Sequence, residues 1–174
     1  MGFAAPDFDD TGWEPSRLRQ YADYTLVPQK SGMLEFEVIR PAHTEQRGNV
    51  LFVDFGTSFV GYLQATARGT AGSCITVRCG HELNEDGTVR WQLRANCNYS
   101  EPWVLSGGQD ILDWFDYKSF RYAELELPEG TVIEDISLLA RHYPFALAAA
   151  MKPEYAADED LRRIWELCAR SQKY

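Results

Sequence analysis

Histidine and cysteine are scarce in this chain, and neither is spaced to hold a metal. His43, His81 and His142 are scattered, and Cys74, Cys79, Cys97 and Cys168 form no C-x-x-C pair. A structural zinc site and a thioredoxin-like redox motif therefore have no support, and no metal or other cofactor is expected. Cys74 and Cys79 are an odd number of residues apart, so on one strand they face opposite sides and cannot readily bond to each other. The four thiols read as reduced packing groups in a cytoplasmic protein. Positive charge is also short: 17 Lys and Arg stand against 26 Asp and Glu, a net charge of -9. That excludes nucleic acid and anionic membrane as partners, since both demand basic patches. No apolar run approaches the length of a membrane span. Met1 to Asp7 lacks the basic start and apolar stretch of a signal peptide. Gly107-Gly108 has no helix after it, so there is no phosphate loop, and no nucleophile elbow supports Ser-His-Asp chemistry.

What remains is enough for one core. The chain has 174 residues, 45% hydrophobic and 13% aromatic, which rules out wholesale disorder. Residues 1–30 read as an irregular arm: Asp9-Asp10-Thr11-Gly12-Trp13-Glu14-Pro15 is turn chemistry around one aromatic, with Trp13 expected to anchor the arm. Residues 31–146 have period two. Met33 to Arg40 is a strand with Leu34, Phe36, Val38 and Arg40 as its expected core face. Val50 to Val53 reads as a strand buried on both faces. A Gly56-Thr57-Ser58 turn follows, then Phe59 to Arg68 with Phe59, Gly61, Leu63, Ala65 and Ala67 on one face. After the Gly69–Gly72 turn, Ile75, Val77 and Cys79 point inward. Asn84-Glu85-Asp86-Gly87 supplies the positive φ of a tight hairpin. Further strands are expected at Glu101–Leu105, Ile111–Phe115, Phe120–Leu127 and Ile133–Arg141. Many short strands separated by turns define an all-β, antiparallel β-sandwich of jelly-roll type.

Residues 147–174 change period. Asp158 is the expected N-cap of a C-terminal α-helix that carries Leu161, Ile164, Trp165 and Cys168 on one face, with Arg170 and Lys173 near its end. A lone helix with an apolar stripe wants a partner, and the end at Tyr174 is read as a truncation.

Taken together, Leu26-Val27-Pro28, Arg40-Pro41, Asp54-Phe55-Gly56, Phe59-Val60-Gly61-Tyr62, Glu82 to Thr88, Phe115 through Phe120-Arg121-Tyr122, and Leu161-Arg162-Arg163-Ile164-Trp165 are similar to the β-sandwich of bacterial α-L-rhamnosidases. Each segment is weak by itself; their order and spacing are more specific. Lys118-Ser119 departs from the pattern, standing where His-Gly is common. The resemblance implies a sandwich that precedes an (α/α)6 catalytic barrel, whose first helix the C-terminal segment resembles. It also implies that the acidic residues of an inverting mechanism belong to that barrel, so no catalytic residue is carried over here.

Among the polar residues, Glu82, Glu85 and Asp86 cluster, and Glu85 and Asp86 lie in the expected turn, where they read as solvated carboxylates of ordinary pKa. Asp54 is expected to accept backbone N–H bonds from the next turn, and Arg121 to pair with an acidic neighbour such as Glu124 or Asp116, or with the following domain. The best saccharide-binding candidates are Trp91, Arg94, Asn96 and Tyr99, which offer aromatic faces and planar polar groups just after a hairpin. The leading expectation is thus a non-catalytic sandwich that supports the barrel of its parent glycosidase. Two alternatives stay open: a stand-alone module binding a rhamnose-containing saccharide, lost on Trp91→Ala, and a structural domain whose helical stripe makes a homodimer.

Overall fold

The computed structural model describes residues 7–20, 24–145 and 150–174; the expected boundary between residues 146 and 147 lies outside them. The backbone separates into two compact units, Met1–Ser31 and Gly32–Tyr174. The described part of the first unit has neither strand nor helix. Asp9 Oδ1 accepts from the Thr11 amide (3.0 Å) and hydroxyl (2.7 Å), and Trp13 meets Phe8 edge-on at 5.5 Å. Trp13 is 63% exposed.

The second unit holds β1 (Glu35–Ile39), β2 (His43–Arg47), β3 (Val50–Arg68), β4 (Cys74–Gly80), β5 (Ser100–Val104), β6 (Gln109–Ile111), β7 (Lys118–Glu126) and β8 (Val132–His142). The helices α1 (Pro153–Ala156) and α2 (Glu159–Lys173) follow. Every strand pair is antiparallel, in the order β1-β8-β3-β7-β4-β5, with β2 and β6 pairing further stretches of β3. The all-β sandwich is therefore as the alternation demanded.

β3 organises it. The residues expected to form two strands and a turn make one strand of 19 residues with a bulge between Asp54 and Phe59. Gly56 takes φ 81 there, a left-handed conformation that glycine adopts without penalty, so the chain bulges inside the ladder instead of reversing. β7 follows β3 on both sides of the bulge. On the opposite edge β2 pairs Val50–Asp54 and β8 pairs Gly61–Arg68. Changing neighbours at a bulge lets one strand serve both layers of a sandwich.

Between the layers Val53, Phe55, Phe59, Leu63, Ala65 and Ala67 meet Ile75, Val77, Phe120, Leu125 and Leu138. Each large apolar side chain buried here contributes about 1.5–3 kcal/mol relative to exposure. Phe120 is fully buried and meets Phe55 edge-on at 5.9 Å. Gly61 pairs with both Lys118 and Ala140, and a Cβ there would press on the Leu139 carbonyl and lie 2.8 Å from Ala140 Cα. Phe52 is buried on the reverse side, beneath the Arg47 guanidinium at 3.9 Å and beside Tyr122, so this stretch of β3 is covered on both faces.

Two expectations need correction, and one strand was not expected. In β1 the inward residue is Ile39, opposite Leu138, whereas Phe36 and Val38 are 54% and 56% exposed. β1 is an edge strand, and pairing Glu35 with His142 fixes its parity the other way. β2 escaped notice because His-Thr-Glu-Gln-Arg is polar throughout and exposed throughout. The strand expected at Ile111–Phe115 is instead Gln109–Ile111, after which Asp113 to Phe115 leave the ladder.

Candidate functional site

The bulge of β3 and the last turn of α2 build one corner of the molecule. Asp54 accepts two parallel bonds from Arg121, Nε to Oδ1 and Nη2 to Oδ2, each 2.8 Å. Its Oδ1 also takes the Gly56 amide at 2.6 Å, the expected backbone bond, made at a bulge inside β3 and not at a strand end. The Arg121 partner is therefore Asp54 across the β3–β7 ladder, not Glu124 or Asp116. Hydrogen bonds from Arg121 hold the Asp54 carboxyl below its usual range, and the same bonds raise Arg121. The fork fixes the bulge and the residues after it.

Those residues receive the helix. Arg170 Nη2 donates to the Ser58 carbonyl at 2.8 Å, and its guanidinium lies 4.3 Å from the Phe59 ring centre. Tyr174 meets Phe59 edge-on at 5.2 Å and His142 at 5.5 Å. Its hydroxyl donates to Glu37 Oε2 at 2.8 Å, and Lys173 Nζ reaches the same oxygen at 2.9 Å. Bonds from Lys173 and then Tyr174 hold Glu37 below the ordinary carboxyl range, and burial pushes the Tyr174 phenol up. Sequence reasoning placed Arg170 and Lys173 at the helix end for its dipole but missed Glu37 and Tyr174 as their partners. The parity of β1, read with Ile39 inward, was the signal.

Between bulge and helix lies a cleft of about 470 Å3 whose walls include Thr57, Ser58, His81, Ser119 and Arg121. Ser58 Oγ and His81 Nδ1 are 3.4 Å apart, at the long end of hydrogen-bond distances. Neither Asp nor Glu is among the described residues that line the cleft. Its arginines already serve Asp54 and Ser58. The corner contacts the last turn of α2.

The four saccharide candidates sit elsewhere, on a second hairpin. Tyr99 N donates to Trp91 O at 3.0 Å and Leu93 N to Cys97 O at 2.9 Å, around a turn whose Ala95 and Asn96 have φ 58 and 59. Arg94 and Asn96 are exposed at the tip, Trp91 is half-buried at the base, and Tyr99 packs against the core. The Tyr99 ring faces the Lys118 ammonium at 5.8 Å, and Trp114 faces it at 4.8 Å. Lys118 is buried with Glu101 Oε2 at 2.8 Å, an ion pair without the alignment of a directed hydrogen bond. On the Asn84–Gly87 turn, Glu82 meets Arg90 at 2.9 Å, both exposed. Asp86 accepts from the Thr88 hydroxyl and amide, which lower its pKa, correcting the ordinary value expected there. Glu124 lies opposite Phe52 and Arg78 on the ladder; burial raises its pKa. Among the cysteines Cys79 is the buried one, its thiol pushed up to about 12 by desolvation, while Cys74, Cys97 and Cys168 are exposed. Among the described residues no group of three or more metal-ligating side chains is gathered, and no helix is long and apolar enough to cross a membrane.

Two antiparallel layers joined by a bulged strand define the fold class as a β-sandwich. Residues 44–142 match the bacterial alpha-L-rhamnosidase concanavalin-like domain, and the chain belongs to that family. An alpha-L-rhamnosidase of Streptomyces avermitilis is 28% identical over 129 residues, which is 71% of this chain and 12% of that protein. The solved Streptomyces avermitilis alpha-L-rhamnosidase complexed with L-rhamnose superposes with TM-score 0.66 at 25% identity, over 83% of this chain and 15% of its own. The alpha-L-rhamnosidase from Dictyoglumus thermophilum shares the fold with TM-score 0.63 at 24% identity, over 82% of this chain and 17% of its own. The chain thus spans well under a fifth of the length of these relatives.

Proposed function

We propose that this chain is a supporting β-sandwich of an α-L-rhamnosidase that removes terminal rhamnose by inversion, and that the chemistry is done by a helical barrel in the same protein. In this reading α2 is the first helix of the barrel, and the corner fixes its position relative to the strands. The observation that carries the reading is the division of α2 into two surfaces. Its last turn is clamped by Ser58, Phe59 and Glu37, while Leu161, Ile164 and Leu167 are 43%, 57% and 64% exposed. A cavity of about 490 Å3 lined by Phe145, Trp165 and Cys168 continues that surface. An exposed row of this kind on a helix already fixed at one end fits packing by neighbouring helices. Hydrolysis of an aryl α-L-rhamnoside tests the proposal. The chain alone should give no turnover above the uncatalysed rate, and a longer protein containing it should be active. Robust turnover by the chain alone, abolished by substituting one of its carboxylates, would overturn it.

A further inference from the structure

The outer face of the layer formed by β1, β8 and the second half of β3 is not accounted for by the role above. The register places Phe36 opposite Arg141 and Val38 opposite Leu139, and Leu139 opposite Tyr62. The even-numbered residues of β1 and β3 therefore share this surface with the odd-numbered ones of β8. The loop after β6 adds Asp113, Phe115 and Tyr117 beside them. Phe115 is 95% exposed and Tyr117 54%. A groove of about 250 Å3 runs between Phe36, Tyr62, Gln64, Asp113, Phe115 and Leu139. Tyr62, one of its walls, is braced from beside the groove: Arg141 lies 3.9 Å from the Tyr117 ring centre and donates to the Tyr62 hydroxyl at 3.4 Å, while the two tyrosine rings meet edge-on at 6.5 Å.

We propose that this groove binds the ring of a neutral pyranose. The aromatic and aliphatic walls suit the C–H face of a sugar ring, and a well-exposed Phe115 gains most by covering one. The Gln64 amide, the Asp113 carboxylate and the tyrosine hydroxyl supply donors and acceptors for ring hydroxyls, which a purely apolar partner would leave unpaired. The volume lies just below the roughly 300–1,000 Å3 of pockets for drug-sized ligands, so one ring is the occupant. This site is distinct from the Trp91–Tyr99 hairpin and does not depend on the parent being a rhamnosidase; that reading decides only which sugar is tried first.

Amide chemical-shift mapping on the labelled chain tests it, with methyl α-L-rhamnopyranoside and methyl β-D-glucopyranoside as probes. Saturable shifts confined to residues 62–64, 113–117 and 139–141 are expected for at least one sugar. Phe115→Ala should weaken binding about tenfold, the scale of one lost ring contact, without loss of fold because that side chain is solvent-exposed. Tyr62→Phe should weaken it less. The absence of shifts with both sugars would overturn the proposal, as would shifts confined to residues 91–99. Sugar-independent self-association that vanishes in Phe115→Ala would also overturn it by assigning the face to a second copy. None of these outcomes bears on the aryl rhamnoside assay, so the two proposals fail separately.

Discussion

The two ends of α2 are held by different physics. At the first end everything is local: Asp158 Oδ1 accepts from the amides of Asp160 and Leu161, and the pairs Arg163–Glu159 and Arg162–Glu166 lie one turn apart at 2.7 Å. Such exposed i,i+4 pairs contribute a few tenths of a kcal/mol each. At the last end the contacts reach across the chain, from Arg170 to Ser58 and from Lys173 and Tyr174 to Glu37. The first end makes the segment helical. The last end decides where the helix goes, and it does so by using the bulge of β3 as a seat.

The contrast can be broken most severely at the seat. Phe59 is buried beneath Arg170 and Tyr174, and Phe59→Ala should cost about 3–5 kcal/mol, read by chemical denaturation, because a cavity opens under both the helix and the core. Asp54→Ala should cost less, about 1–3 kcal/mol, since Arg121 is partly solvated and recovers some hydration when the fork is lost. Asp54 also sets a pH dependence. Its folded pKa lies below the unfolded value, so its stabilisation is complete above the ordinary aspartate range and fades as pH falls through the lowered folded value. Acid titration of stability should show this loss in the wild type and a flatter profile in Asp54→Asn.

Smaller effects sharpen the contrast. Arg170→Ala should loosen α2 by about 1 kcal/mol while leaving the sandwich transition in place. Glu37 carries the same acid sign as Asp54, so the seat should weaken as pH falls below the usual glutamate range, and Glu37→Gln should remove that dependence; helix protection at pH 3 against pH 7 reads both. At the first end, Asp158→Ala should cost the helix about 1 kcal/mol with no change in the sandwich transition. Ile164→Asp should stay within about 0.5 kcal/mol in this chain, because the side chain is exposed.

The same contrast explains what was legible in the sequence. The α2 cap and its apolar row could be read directly, because capping and helical period act over four residues. The alternation of Phe59 to Ala67 and of Ile75 to Cys79 gave the core faces for the same reason. What escaped depended on pairing across long separations. Gly56, followed by Thr57 and Ser58, reads equally as a turn or a bulge, and only the continuous partner β7 decides for the bulge. Phe36 and Val38 look like core, and only the register with β8 turns them outward. Asp54 was seen to bind its own turn, but its fork with Arg121, 67 positions away, was not. Of the saccharide candidates, Tyr99 is engaged with the core and Lys118, a placement that no local pattern encodes.

Amide hydrogen exchange along α2 tests most directly the claim that the sandwich itself positions this helix. In the chain alone, residues 167–173 should exchange markedly more slowly than residues 161–164, and Arg170→Ala should erase the difference. Uniformly fast exchange along the whole of α2 in the unmodified chain would contradict it, because the seat on Ser58, Phe59 and Glu37 would then hold nothing.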